Sequence, residues 1–102
     1  MIDNKEWLIV GIITSAHGVA GKLNIKSLSD FKERFTQPGQ RWIQKNDEEP
    51  MAYNLLSGLQ KPGKELFIIS LEGITNRDEA NSLKQHKLLV RSNDIPILQD
   101  NE

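Results

Sequence analysis

The sequence contains no cysteine, which rules out a disulfide framework and any thiolate metal site. A cysteine-free chain fits a reducing cytoplasm. Long apolar runs are missing too. The longest, Trp7 to Val10 continuing through Ile13, is far too short to span a bilayer. Residues 1–6 lack the apolar core of a signal peptide, so a soluble cytoplasmic protein with no membrane partner is expected. Nor is there an excess of basic charge. The net charge is −1, whereas proteins held to nucleic acid mainly through phosphate contacts are usually basic overall. What charge there is lies unevenly. Residues 22–45 hold Lys22, Lys26, Lys32, Arg34, Arg41 and Lys45 against Asp30 and Glu33, a local balance of +4, and residues 46–102 carry −4. That permits one basic face beside an acidic one, although an ordinary mixed, solvated surface is the simpler reading. The 102 residues, 37% apolar and 26% charged, suit one small globular domain with a modest core.

Several short strands can be read from the pattern. Trp7 to Thr14 is apolar and β-branched at almost every position, which predicts a strand with little water on either face. Residues 15–21 are small and include Gly18 and Gly21, a natural place for the chain to reverse. Lys22 to Leu28 alternates, with Leu23 and Ile25 on one side and Lys22, Asn24 and Lys26 on the other, as in a half-buried strand. Ser29 or Asp30 would open a helical turn placing Phe31 and Phe35 on one face. Pro38-Gly39 matches the centre of a type II turn, and Arg41 to Gln44 a short strand. A polar loop over residues 46–50 precedes strands at Met51–Leu59 and Leu66–Leu71, joined by a Pro-Gly turn over residues 61–64. Asn76 to Glu79 forms a capping box opening a short helix that buries Ala80 and Leu83, with Asp78 favourably placed at its start. A last strand runs from His86 to Val90. From Arg91 the chain turns polar, as a linker or tail does. Six short strands with one or two short helices predict an all-β fold, a small barrel whose closure removes exposed edges.

Three stretches, in order, resemble the RimM family of small-subunit maturation factors. Residues 10–25 carry Gly11, His17-Gly18 and Gly21 in the spacing of the family's opening pattern. Ser29-Asp30, Phe31, Arg34 and Phe35 are similar to its Thr-Asp and Arg-Phe segment. Leu71 to Leu83 contains Gly73, Arg77-Asp78 and Ala80, similar to the element opening the helix before the last strand. Many members have an acidic residue where this chain has Lys22, and Gly in the segment holding Gln85-His86. The resemblance covers roughly residues 7–98. It implies a six-stranded barrel like those of translation factors over residues 1–90. Residues 91–102 would then be a linker toward a second, PRC-type barrel of a longer protein. It also implies association with the head of the small ribosomal subunit, through its nineteenth protein and 16S rRNA. The expected activity is support of rRNA folding and processing, by a monomer without catalysis or cofactor.

Other chemistry is weaker. A phosphate loop needs Gly at 16 and Ser or Thr at 23, where the chain has Ala16 and Leu23, and a strand, not a helix, follows. His17 has only Ser15 as a local partner, so a turn histidine bonded to backbone is the simpler reading than a general base. With only His86 besides, a zinc site is not expected. Asp47, Glu48 and Glu49 lack calcium-loop spacing. Most aromatic residues read as core. Trp42, between Arg41 and Lys45, is the one placed for RNA contact. Candidate partner-binding residues are therefore His17, Lys22, Lys26, Arg34, Arg41 and Trp42. A flavin-binding barrel of the reductase kind is the alternative, since one fold hosts many functions.

Overall fold

The computed structural model describes residues 6–62 and 65–92. Its elements run β1 (Trp7–His17), β2 (Lys22–Ser27), α1 (Glu33–Thr36), β3 (Gly39–Gln44), β4 (Met51–Gln60), β5 (Leu66–Leu71), α2 (Arg77–Asn81) and β6 (Lys87–Arg91). Every strand pair is antiparallel, and the order β1-β2-β5-β4-β3-β6 closes into a barrel. The all-β, six-stranded barrel with two short helices is thus the fold. Closure gives each strand a hydrogen-bonded neighbour on both sides, so no apolar edge is left to pair with another chain.

Strand pleating sends alternate side chains inward. Leu23 and Ile25 of β2, Phe67, Ile69 and Leu71 of β5, and Leu88 and Val90 of β6 fill the interior, while Lys22 and Lys26 stay outside. Each fully buried side chain of this size contributes about 1.5–3 kcal/mol. On β1 the alternation breaks. Register shifts between Ile9 and Gly11 against β6, and between Ile13 and Ser15 against β2, bend this long strand around the barrel. Val10 and Ile13 are fully buried, but Leu8 and Ile9 are 43% and 41% exposed. The strand is therefore not sheltered on both faces as its composition predicts. A barrel has a single interior, and the outward side chains of β1 are shaded only by their neighbours.

The helices close opposite ends. β2 leads to α1 and β5 to α2, and these two strands are antiparallel, with Lys26 opposite Leu66 and Leu23 opposite Ile69. Phe35 of α1 stacks on Phe67 at 4.5 Å. Its backbone lies so close to β4 that a Cβ on Gly58 would overlap the Phe35 carbonyl oxygen. At the other end Ala80 and Leu83 are buried, as the sequence predicts. Asn76 accepts from the Glu79 amide at 2.8 Å, but the returning carboxylate of Glu79 takes the Thr75 amide at 2.7 Å and the Thr75 hydroxyl at 3.2 Å. The box closes one residue early because Thr75 offers two donors.

Three local expectations are corrected. α1 begins after Lys32 with no side-chain cap. Ser29 is instead used in the turn before it, accepting from the Phe31 amide at 3.1 Å, while its carbonyl accepts from the Ser27 hydroxyl at 2.9 Å. Phe31 therefore precedes the helix and stays 42% exposed, and only Phe35 goes inside. Pro38-Gly39 is not the centre of a type II turn. Gly39 has φ of 151° and is already the first residue of β3, whereas that turn needs about +80°. The last strand starts at Lys87, because Gln85, with φ of 71°, turns the chain first. Gly63 and Lys64 of the second Pro-Gly turn, and the tail from residue 93, lie outside the described residues.

Candidate functional site

The candidate binding residues separate into three places. Arg34 and Arg41 are buried, at 6% and 7% exposure. The Nε of Arg41 donates to the Arg34 carbonyl at 2.8 Å. Its Nη1 donates to the Gln40 carbonyl at 2.9 Å, and its Nη2 to the carbonyls of Gln37 at 2.8 Å and Glu33 at 3.3 Å. The last carbonyls of a helix have no partner within it and carry partial negative charge. Arg41 supplies that partner for α1, so it locks a helix end and does not present its charge outside. Arg34 lies with its guanidinium carbon 5.8 Å from the Phe31 ring centroid. Period-two reading of β3 held the missed signal: Arg41 shares a parity with the inward Ile43, and Trp42 has the opposite one.

His17 and Lys22 face each other across the first hairpin, both exposed, with Lys26 farther along the outer face of β2. The loop between them is held by a distant element. Arg77 Nη1 donates to the Gly18 carbonyl at 2.8 Å. Gly21, with φ of 94°, sits so close to the Ile74 carbonyl that a Cβ would collide with it. The first and third motif stretches, with Gly18 and Gly21 on one side and Gly73, Arg77 and Ala80 on the other, therefore build a single corner of the barrel. Val19, 79% exposed, stands at its tip. Gly11 has a packing role: a Cβ there would lie 2.8 Å from Ile25 Cγ2 and 3.0 Å from the Phe35 ring. Asp30 is exposed in the turn ahead of α1.

Trp42 occupies the third place, the outer face of β3, where its ring meets that of Trp7 edge to face at 5.1 Å. The guanidinium carbon of Arg91 lies 4.2 Å from the Trp7 centroid and 5.3 Å from that of Trp42. The tail residue Arg91 is thus part of β6, and sequence reasoning overlooked both it and Trp7 as partners of Trp42. Their clustering depends on β1 and β3 flanking β6, which no local pattern announces. Beyond Trp42 a hollow of about 440 Å³ is lined by Gln40, Ala52, Tyr53, Asn54 and Glu72. Among the described residues no three His, Asp or Glu side chains gather to hold a metal ion, and no helix is long and apolar enough to cross a membrane.

Comparison with known proteins fits this barrel. A family model described as the RimM N-terminal domain matches residues 8–95. The whole chain is 55% identical to the ribosome maturation factor RimM of Prochlorococcus marinus strain MIT 9312, and 57% identical to that of strain CCMP1986. It is 45% identical over 97 residues to the RimM of Synechococcus strain RCC307. It spans 57% of the length of each of the two Prochlorococcus proteins. The crystal structure of a 16S ribosomal RNA processing protein RimM from Pseudomonas aeruginosa superposes with a TM-score of 0.68 at 22% identity, over 89% of this chain and 54% of that one. With that family model matching residues 8–95 and more than half the residues identical along the whole chain, this chain belongs to the RimM N-terminal domain family.

Proposed function

We propose that the chain is the barrel domain of a ribosome maturation factor and acts by binding, without catalysis or cofactor. The observation that carries this reading is identity above one half, along the entire chain, to proteins named ribosome maturation factor RimM. The flavin-barrel alternative receives no support from these relatives. In the proposed role the domain helps assemble the head of the small subunit and supports 16S rRNA processing, contacting rRNA, the nineteenth small-subunit protein, or both. It works in the cytoplasm as a monomer. The strands β1 to β6 form the binding barrel, and the residues beyond Arg91 lead toward a second, PRC-type barrel. Exposed His17 and Lys22 support the reading, because they lie beside a loop already fixed by Arg77. A preformed loop loses little conformational freedom on binding.

The test is sedimentation of the labelled chain with immature and mature small subunits at low and moderate salt. Selective cosedimentation with the immature particle is the expected result. Equal binding to both particles, or to neither, would count against this domain as the recognising part.

A further inference from the structure

One side of the barrel differs from the rest of its exterior. β1, β6 and β3 lie side by side, and their register sets outward side chains in rows. Trp7 stands opposite Arg91. Ile9, Leu89 and Trp42 form the next row, continued by Ala52 of β4. Ile12, Lys87 and Gln44 form the third, with Lys26 of β2 beside Ile12. Leu89, in the middle, is only 1% exposed, and Arg91 lies over both indole rings. The face therefore offers π surface and cations more than bare aliphatic area.

Charge on this face is mixed, because the acidic loop of residues 47–49 lies beside the third row, where the Gln44 amide donates to the Glu48 carbonyl at 2.9 Å, and cations stand nearer the indoles. Arg91 lies on the aromatic pair, and Lys87 and Lys26 stand in the third row. Against them stands Glu6, which meets Arg91 at 3.2 Å with both side chains about half exposed, so that water screens the pair and a competing anion can replace it. Glu72, on the far wall of the hollow, accepts from the Asn54 amide at 3.3 Å. Stacked guanidinium and indole groups beside separate cations suit a polyanion with flat, unpaired rings. A protein partner would call for more open apolar area at the centre of the patch.

We infer that this face binds single-stranded RNA. Bases stack on the Trp7–Arg91–Trp42 group, phosphates lie at Lys26 and Lys87, and the amides of Gln40 and Asn54 stand beside Trp42 for a base edge. Lys26 and Lys87 are two strands apart, about 10 Å, so one short strand spans them. A duplex fits poorly, because its bases are already stacked and hidden. The inference rests on the ribosomal reading only for the choice of RNA among polyanions with rings.

Both tryptophans of the chain belong to this face, so their emission reports on it directly. The chain is titrated at low salt with a single-stranded RNA of about 12 nucleotides, with the same sequence as a duplex, and with heparin. Saturable quenching by the single strand, exceeding that by duplex or heparin, is the expected result. Trp42→Leu should weaken binding, followed by anisotropy of labelled RNA, about tenfold, and Lys87→Gln should make the salt dependence shallower. Should Trp42→Leu fail to fold by circular dichroism, Arg91→Gln takes its place and should also weaken binding. Absence of quenching, or equal quenching by heparin, overturns the inference. So does a dimer formed through this face that occludes it. Cosedimentation with immature subunits, run on the same variants, separates the two claims. Subunit binding without RNA quenching sinks this face and leaves the maturation role standing, whereas quenching without subunit binding does the reverse.

Discussion

A guanidinium enclosed by four backbone carbonyls, as that of Arg41 is, cannot be trimmed without leaving those of Arg34 and Gln37 short of donors. Arg41→Met keeps the bulk but removes every donor, and should lower stability by about 2–4 kcal/mol, read as a lower urea midpoint. Arg41→Lys should recover only part of the loss, since one ammonium cannot reproduce the planar fork. Full stability in the methionine variant would show that water replaces the side chain. Gln85 points the opposite way. It holds φ of 71°, a conformation that costs a side-chain-bearing residue energy that glycine avoids. Gln85→Gly should therefore raise stability by about 0.5–1 kcal/mol, the strain relieved outweighing the added freedom of the unfolded chain. An unchanged or lower midpoint would refute it. Residues such as these mark how far the sequence could be read. Leu23, Ile25, Ala80 and Leu83 were legible because periodicity alone sets their direction. Arg41 was not, because its charge argues for the surface until the carbonyls that need it are in view.

The corner formed by the first hairpin loop and the start of α2 shows how two elements fix one another. Arg77 reaches 59 residues back to the Gly18 carbonyl, across an exposed gap. Arg77→Ala removes a single exposed hydrogen bond, so the midpoint should move by less than about 1.5 kcal/mol. Hydrogen exchange should nevertheless quicken at the loop end of the β1–β2 ladder, about His17 and Lys22, and leave β5 unchanged, because the loop opens locally while the core does not. Uniform acceleration along the chain would instead mean that the bond supports the whole barrel. Of these elements, α2 could be placed from its cap, since Asn76 and Glu79 act within one turn. α1 starts later than the sequence suggests, since Ser29 looks like a cap but bonds within the preceding turn. The strands were found to within a few residues, because alternation marks their middles better than their ends.

Pairing of β2 with β5 and of β3 with β6 joins strands remote in sequence, and composition gives no sign of either. The barrel could be expected from strand count and family resemblance, but the candidate residues could not be sorted into three separate places until the ring was closed. A closed ring also predicts cooperative loss. Trp7 and Trp42 lie on strands flanking β6, so their emission and the far-ultraviolet circular dichroism should give coincident unfolding curves. An earlier change in emission would mean that β1 or β6 leaves before the rest.

The first and last strands are neighbours. Ser92 donates its amide to the Glu6 carbonyl at 3.0 Å, so the chain enters and leaves the barrel at a single point. Pulled apart by those two ends, β1 and β6 would load their ladder one rung at a time, like a zipper opened from its tab, and not all rungs together in shear. A fold that offers no free edge at rest can thus be opened by a small force applied at its own seam.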